Sequence, residues 1–329
     1  MKAVVYQGFG SPDILHLQEI DKPVPGDGEV LIKVRAAAAN PLDWKLMKGG
    51  PPLARQLLGL GKPKIKCPGV DVAGVVEALG VNITGLKPGD EVFGTCVGAF
   101  AEYATSKSAP GMKSALARKP PNVTFEQAAA VPVAGLTALQ GLRDIGRIQP
   151  GQSVLINGAS GGVGTFAVQL AKSFGANVTG VCSTANVDLV RSLGADRVMD
   201  HTQHDFTNAE ERYHLIFDCV GNHPLSALRR LLHARGTLVW IGLPPNASLS
   251  RFPARLLAAF LYSPFIRTRT AFFIAKVNQK DLTTLGELLA TGSVTPVIAK
   301  RFRLSEAPDA FRYLATGHSR GKVILTPNP

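Results

Sequence analysis

The chain has 329 residues, of which 45% are hydrophobic and 18% are charged, and its formal net charge at pH 7 is +12. This length and composition predict an ordered chain with two domains and exclude a disordered protein. The basic residues are dispersed and lack the interleaved aromatic residues or helix motif of a nucleic-acid reader, so we expect no nucleic-acid partner.

Short strands separated by turns are predicted from residue 1 to about residue 120. The turns include Pro25-Gly-Asp-Gly28 and Lys87-Pro-Gly-Asp90, and this pattern indicates a β-rich, barrel-like unit. The first strand, residues 1–6, is not preceded by the basic, apolar and cleavage-site pattern of a secretion signal. We therefore expect a cytoplasmic protein.

The pattern changes at about residue 122, from which helices and strands alternate. Helices are predicted at residues 125–130 and 135–144, and strands near residues 153–157, 177–182, 214–219 and 236–241. This alternation predicts an α/β fold with a doubly wound parallel sheet. A strand at 271–275, a helix at 279–290 and a last β-α-β run complete the chain. The expected domains are therefore residues 1–121 with 277–329, and residues 122–276.

A glycine-rich turn between a strand and a helix is the most informative motif. The strand at 153–157 leads into Gly158-Ala-Ser-Gly-Gly-Val-Gly164, and Ala159 stands where the usual GxGxxG motif has its first glycine. Glycines let a pyrophosphate approach the backbone, and the helix start offers N–H groups and the positive end of a dipole. A second apolar strand follows at 177–182. The motif therefore favours a dinucleotide site over the alternative, a strand-turn-helix in which the glycines serve only close packing.

The residues after that second strand indicate which dinucleotide binds. NAD enzymes place Asp or Glu there to hold the ribose 2′-hydroxyl, but this chain has no acid between residues 178 and 187. Ser183, Thr184 and Asn186 can donate hydrogen bonds to a 2′-phosphate, which favours NADPH over NADH. No Arg or Lys occupies this loop, so charge pairing must come from elsewhere or the selectivity is modest.

The sequence predicts no metal site. The four cysteines lie far apart and form no CxxC pair, so we expect reduced packing residues. Two pairs have metal-like spacing, Cys219 with His223 and His201 with His204, but each supplies two ligands where a structural zinc needs four.

Residues 251–269 form an apolar segment flanked by arginines. It is too short to span a membrane, which takes about 20 apolar residues, and Ser263-Pro264 interrupts it. It fits a peripheral contact with a lipid surface. It also fits a helix that covers the substrate cleft or a subunit contact, the more common role of an internal amphipathic helix.

Motifs spread over essentially the whole chain resemble the zinc-independent quinone oxidoreductase branch of the medium-chain dehydrogenase/reductase superfamily. They are Asn40-Pro-Leu-Asp-Trp-Lys45, residues 68–76, Gly98-Ala-Phe-Ala-Glu-Tyr103, Gly135-Leu-Thr-Ala138, residues 158–164 and 193–196, Asp218-Cys-Val-Gly221 and Gly321-Lys-Val323. Within this branch the chain is similar to the subgroup that includes the chloroplast-envelope quinone oxidoreductase homologue and the mitochondrial reticulon-interacting protein.

The resemblance implies a GroES-like catalytic domain joined to a Rossmann domain, NADPH in the cleft, and a homodimer built through the strand at 271–275. It also implies cofactor contacts at Thr137, Ser160, Gly161, Gly162, Val163, Ser183, Thr184, Asn186, His201, Val220, Phe272, Phe273 and Lys322. The two phenylalanines fit core or dimer packing equally well. In the subgroup an Arg commonly replaces Ala185 and a Tyr replaces His201 near the 2′-phosphate, so this chain departs from the pattern there.

The expected chemistry follows from the absence of zinc ligands. Zinc-dependent relatives have a Cys near Asn40 and a His-Glu pair where this chain has Val70-Asp71, so the resemblance implies that both zinc sites are missing. A conjugated acceptor, either a quinone or an α,β-unsaturated carbonyl, is then the expected substrate, because its added electrons delocalise onto oxygen without a metal. The sequence leaves open whether a hydride or single electrons are transferred.

Four polar residues are candidates for this chemistry. Asn40 can bond an enolate or quinone oxygen, and Lys45 can protonate it from a buried position. Asp43 and Asp71 can orient these groups. Asp43 can equally be a residue that caps a turn, and Asp71 a structural carboxylate. Lys45 can equally be a lysine exposed to solvent. A non-catalytic NADPH-binding protein and a membrane-peripheral interaction protein stay as alternatives.

Overall fold

The computed structural model describes residues 1–48, 67–106, 114–242 and 268–327. In chain order the strands are β1 (Lys2–Val5), β2 (His16–Glu19), β3 (Val30–Ala39), β4 (Asp71–Leu79), β5 (Glu91–Thr95), β6 (Tyr103–Ser106), β7 (Leu116–Arg118), β8 (Ser153–Asn157), β9 (Asn177–Cys182), β10 (Arg197–Asp200), β11 (Tyr213–Asp218), β12 (Leu232–Trp240), β13 (Arg269–Phe272), β14 (Ile298–Arg303) and β15 (Lys322–Thr326). The α-helices are α1 (Pro41–Lys48), α2 (Phe125–Ala129), α3 (Pro132–Gln140), α4 (Gly162–Ser173), α5 (Val187–Ser192), α6 (Leu225–Arg230), α7 (Gln279–Ala290) and α8 (Ala307–Ala315).

The chain divides into two compact units, Met1–Leu136 with Lys276–Pro329, and Thr137–Ala275. The first border falls after Leu136 rather than after residue 121, and the second after Ala275 rather than after residue 276. The first difference has a packing cause, because helix α2 contacts strands β3 and β4 of the first unit.

The first unit is built on a sheet of seven strands in the order β14-β15-β3-β4-β5-β7, with β6 also paired to β3. Strands β14 and β15 are parallel, whereas β3 is antiparallel to both β15 and β4. Its core includes Ile32, Val72, Phe100 and Phe311, all fully buried. Strand β15, from the last residues of the described chain, therefore lies inside a sheet whose first strand in sequence is β3.

The second unit contains a parallel sheet of six strands in the order β10-β9-β8-β11-β12-β13. This is the doubly wound order of a Rossmann fold, so the predicted α/β fold class is confirmed. Strands β8 and β9 coincide with the predicted ranges, whereas β12 begins at Leu232 rather than near residue 236. Strand β10 was not predicted at all.

Two other predicted elements differ in extent. The helix expected at 135–144 begins at Pro132, which needs no N–H partner in a first turn, and continues as a π-helical turn, Gly141–Gly146. A Cβ at Gly141 would lie 2.3 Å from the Phe217 ring, so glycine lets this turn lie directly on β11. The strand expected at 271–275 ends at Phe272.

Across residues 1–48, 67–106, 114–242 and 268–327, no helix combines the length and apolar character needed to cross a bilayer. Residues 251–267, which hold most of the segment predicted to contact a lipid surface, lie outside the described residues.

Candidate functional site

Three buried polar side chains meet at one end of the first unit's sheet. Asn40 directly follows β3, whereas Asp71 begins β4 and Lys322 begins β15. Because β3 is antiparallel to both neighbours, its end lies beside their starts, and the register pairs Ala38 with Asp71. The exposed fractions are 4% for Asn40, 0% for Asp71 and 3% for Lys322, so this cluster is closed to bulk water.

Hydrogen bonds fix every member of this Asn40–Asp71–Lys322 cluster. Lys322 Nζ donates to Asn40 Oδ1 at 2.5 Å and to Asp71 Oδ2 at 3.0 Å, and Asn40 Nδ2 donates to Asp71 Oδ2 at 3.0 Å. The backbone N–H of Val133, in the first turn of α3, donates to Asp71 Oδ1 at 3.0 Å. The Lys322 charge thus compensates a fully buried carboxylate, and two of the three N–H groups of its ammonium are engaged.

Asp43 lies beside this cluster in the first turn of α1. Its Oδ2 atom accepts the backbone N–H of Asn40 at 2.8 Å, which closes the start of the helix as in a capping box. Burial raises the pKa of Asp43 to about 7. The hydrogen bond from Asn40 and the Lys322 charge oppose this rise, whereas the Asp71 charge adds to it. Asp43 can therefore exchange a proton near neutral pH.

The structure gives one expected site residue a partner that the sequence did not predict. Lys322, expected among the cofactor contacts, is the ion-pair partner of Asp71 inside the first unit. Sequence reasoning missed this pair because the two residues lie 251 positions apart and meet only through β3. The fourth candidate, Lys45, lies in α1, and its side chain is outside the described structure.

In the second unit the glycine turn joins β8 to α4, and no side chain of the turn caps the backbone N–H groups at the start of the helix. Gly158 has φ +80°, and Gly161 is the N-cap of α4 without a side-chain cap. A Cβ at Gly161 would meet only the Gly158 carbonyl oxygen, at 3.4 Å, whereas one at Gly164 would lie 2.0 Å from that oxygen. Gly164 therefore allows the helix to approach the strand, and Gly161 leaves the first N–H groups of the helix uncovered. This arrangement fits a dinucleotide pyrophosphate.

The glycine turn contacts strand β9 through Ala159 and is contacted by Val220, which follows β11. Ala159, the departure from the usual motif, is fully buried, and its Cβ lies 3.1 Å from the position that a Cβ on Gly180 would take. The glycine in β9 thus makes room for the alanine. Val220 lies beside the turn, since its Cγ2 atom would be 2.7 Å from a Cβ on Gly158. Asp218 Oδ1 accepts the Val220 N–H at 3.1 Å and so holds this residue at the end of β11.

The loop after β9, where the 2′-phosphate was expected, is held by its own hydrogen bonds. Asn186 Nδ2 donates to Ser183 Oγ at 3.0 Å, and the His201 N–H donates to the Cys182 carbonyl at 3.0 Å. The Oδ1 atom of Asn186 is buried and finds no hydrogen-bond partner within the described residues. Ser183, Asn186 and His201 therefore lie close together at this end of the sheet.

An acid lies beside this loop in space, although residues 178–187 themselves contain none. Thr184 Oγ1 donates to Asp200 Oδ2 at 2.5 Å, because the parallel pairing of β9 and β10 brings Asp200 opposite Cys182. The hydrogen bonds from Thr184 and then Thr202 hold the pKa of Asp200 below its usual value. Only recognition of β10 as a strand would have revealed this carboxylate.

The remaining expected cofactor contacts lie in the second unit. Ser160, Gly162 and Val163 belong to the glycine turn and the start of α4, and Thr137 is in α3; all four are partly exposed. The Phe272 ring centroid lies 5.5 Å from that of Trp240, and Phe273 reaches within 3.1 Å of the position of a Cβ on Gly141. Both phenylalanines thus pack within this unit, which is one of the two roles left open. Among the described residues, no three His, Cys, Asp or Glu side chains are grouped to hold a metal ion.

Two family models match the chain. One, described as alcohol dehydrogenase GroES-like domain, matches residues 26–141, and the other, described as zinc-binding dehydrogenase, matches residues 193–325. The chloroplastic quinone-oxidoreductase QR1 of Triphysaria versicolor is 32% identical over 338 residues, which cover 99% of this chain and 98% of that protein. The chloroplastic NADPH-dependent alkenal/one oxidoreductase of Arabidopsis thaliana is 34% identical over 344 residues, covering 100% and 80%.

Among solved structures, the quinone oxidoreductase from Coxiella burnetii matches with a TM-score of 0.84 and 30% identity, covering 99% of both chains. A GroES-like domain and a Rossmann-type sheet in one chain define the medium-chain dehydrogenases/reductases. The chain belongs to the quinone oxidoreductase branch of this superfamily, and the resemblance noted in the sequence is confirmed.

Proposed function

We propose that this protein is an NADPH-dependent oxidoreductase that reduces a quinone or an α,β-unsaturated carbonyl compound without a zinc ion. The observation that carries the proposal is the open glycine turn at the end of β8. It occurs in a chain that is 32% and 34% identical, along nearly its full length, to proteins named for quinone and for NADPH-dependent alkenal/one reduction.

On the cofactor side, the N–H groups of Gly162 and Val163 at the uncapped start of α4 bind the pyrophosphate, and Ser160 and Gly161 leave its approach open. Val220, beside the turn, would lie against the adenosine or its ribose. Bound NADPH supplies the hydride. The role of the second unit is to hold the nucleotide in one orientation, which lowers the entropic cost of transfer.

On the acceptor side, the chain must stabilise a developing negative charge on oxygen and deliver a proton. The Asn40 amide is held in one orientation by Asp71 and Lys322, and the ammonium of Lys322 adds positive charge at the same place. Asp43, whose pKa burial raises to about 7, is partly protonated at neutral pH and provides the proton.

The assembly and the location are further parts of this proposal. Strand β13 ends the strand order of the six-stranded sheet, which supports a homodimer formed through that edge. A cytoplasmic location and a peripheral lipid contact through residues 251–269 also belong to the proposal, the latter on sequence grounds alone.

The test is NADPH oxidation by the purified protein, followed at the nicotinamide absorbance, against a panel of quinones and medium-to-long-chain enones. We expect saturable turnover that is faster with NADPH than with NADH and that EDTA does not change. An EDTA-sensitive rate would contradict the zinc-free mechanism. Tight NADPH binding with no turnover on any acceptor would contradict the enzymatic function and support a non-catalytic nucleotide-binding protein.

Two variants test whether Asn40 acts on the electron acceptor. Asn40→Ala should lower kcat and leave the KM for NADPH unchanged, because Asn40 is assigned to the acceptor. Asn208→Ala, which changes an exposed asparagine, is the matched control and should behave as the parent protein. An unchanged kcat in Asn40→Ala would remove this residue from the mechanism.

A further inference from the structure

We propose that Lys322 is a positioning residue for proton delivery in the first unit. By pairing with Asp71 and holding the Asn40 amide, its ammonium leaves Asp43 as the carboxyl group that carries the proton for the acceptor. The inference rests on the proposed reductase function and names the residue that sets the pH range of its turnover.

Among the described residues, this buried site holds two carboxyl groups and one ammonium group. Asp43 is 5% exposed, Asp71 is 0% exposed and Lys322 is 3% exposed. If both carboxyl groups were ionised, these three side chains would bury a net negative charge, which is costly in a low-dielectric interior. One proton on the pair of carboxyl groups removes that charge. The hydrogen bonds around the two groups decide which of them holds it.

Asp71 accepts hydrogen bonds from three donors, and all three favour its ionised form. Lys322 Nζ and Asn40 Nδ2 both donate to its Oδ2 atom at 3.0 Å, and the Val133 N–H donates to its Oδ1 atom at 3.0 Å. Asp43 instead accepts the backbone N–H of Asn40 on Oδ2 at 2.8 Å, and no ammonium of the described structure forms an ion pair with it. The proton therefore belongs to Asp43, and Oδ1 carries it because Oδ2 accepts the N–H.

The groups around Asp43 agree with this division of roles. Burial is the largest cause that raises the pKa of Asp43 to about 7, the Asp71 charge adds to the rise, and the Lys322 charge opposes it. Tyr6 and Cys96 also interact with Asp43 electrostatically. Burial raises the pKa of both groups above its ordinary value, so they are uncharged near neutral pH. Within the described residues, the pKa of Asp43 therefore responds to two opposed charges, those of Asp71 and Lys322.

The step is a single proton transfer from Asp43 to the acceptor. An acceptor that has gained a hydride is an enolate or a hydroquinone anion, and its negative charge lies on oxygen. The Oδ1–H bond of Asp43 breaks, an O–H bond forms on the acceptor, and the carboxylate left behind takes its next proton from water. Turnover thus requires protonated Asp43, so kcat falls as pH rises through the pKa of this group.

The experiment measures kcat for NADPH oxidation with a saturating quinone between about pH 6 and about pH 9, and kcat of the parent protein should fall above about pH 7. Asp71→Asn removes the charge that adds to the pKa of Asp43. It should move the fall in kcat down by about one pH unit, the lower end of the effect of a neighbouring charge. Lys322→Met removes the opposing charge and should move the fall up by about one pH unit. The double variant should return it close to the parent position.

The controls separate charge from structure. Asp43→Asn should have a low kcat without this pH dependence, and Lys22→Met, which removes an exposed ammonium beside Glu77, should keep the parent profile. If Lys322→Met does not fold, the profile of Asp71→Asn compared with that of the double variant still isolates the Lys322 charge. A lysine with a purely structural role would lower stability without moving these profiles, so unmoved profiles, or shifts in the same direction, would overturn the role of Lys322 and leave the reductase function intact. A parent protein that turns over no acceptor would overturn that function and this role together.

Discussion

Removing the Lys322 ammonium should destabilise the first unit strongly, because it leaves the carboxylate of Asp71 buried without a counter-charge. Asp71 is 0% exposed and the side chain of Lys322 is 4% exposed, so water cannot replace the lost partner. Breaking a buried ion pair on one side costs roughly 3–5 kcal/mol. Lys322→Met keeps most of the side-chain volume and therefore isolates the loss of charge.

The control is an exposed ion pair of the same unit. Lys22 Nζ lies 2.6 Å from Glu77 Oε1, but the two side chains are 41% and 35% exposed, so water can solvate the remaining carboxylate and Lys22→Met should cost far less stability than Lys322→Met. Adding Asp71→Asn to Lys322→Met should recover much of the loss, because the amide oxygen can still accept the Val133 N–H.

Urea denaturation gives the free energy of unfolding, and amide hydrogen exchange of peptides from β3, β4 and β15 shows which unit is affected. Equal costs for Lys322→Met and Lys22→Met would refute the reasoning. A double variant no more stable than Lys322→Met would also refute it, since the buried charge would then not be the cause.

Two further predictions concern the glycine turn and Asp43. Gly164→Ala should lower both stability and nucleotide affinity, because its Cβ would lie 2.0 Å from a backbone oxygen, whereas Gly161→Ala should fold normally and weaken nucleotide binding alone. Thermal unfolding with and without NADPH separates a loss of stability from a loss of nucleotide affinity. Equal melting temperatures of the two ligand-free variants would contradict the claim that only Gly164→Ala disturbs the fold. The raised pKa of Asp43 means that the folded state holds its proton more tightly than the unfolded chain. The contribution of protonated Asp43 to folding stability is therefore complete below about pH 4 and is lost as pH rises through about 7. The free energy of unfolding of Asp43→Asn, measured relative to the parent, should therefore be higher at pH 8 than at pH 5. A difference between variant and parent that stays constant across that range would contradict the raised pKa of Asp43.

The parallel sheet could be predicted because its central strands carry their own signal. Strands β8 and β9 are almost wholly buried apolar runs that end at a glycine turn or a polar loop, and their limits coincide with the predicted ones. Strand β10, in contrast, has four residues with charged ends and no fully buried side chain, so it offers no periodicity to detect.

Individual residues of the candidate site could be selected from the sequence, but the contacts between them could not be predicted. Asn40 and Asp71 stood out through motifs, and the glycine turn through its spacing. The contacts that define the site, Lys322 with Asp71 and Thr184 with Asp200, depend on which strands are neighbours. Strand order is a property of the whole sheet, and no local sequence pattern specifies it.

The position of β15 inside the first unit's sheet has a consequence for the order of folding during synthesis. Residues 137–275 emerge from the ribosome as a complete unit while β3 still lacks one neighbouring strand. Until residues 322–326 are made, β3 presents unpaired backbone groups and Asp71 has no lysine to meet. The first unit is thus completed last, and for that interval the part of β3 that later pairs with β15 is open to pairing with another strand.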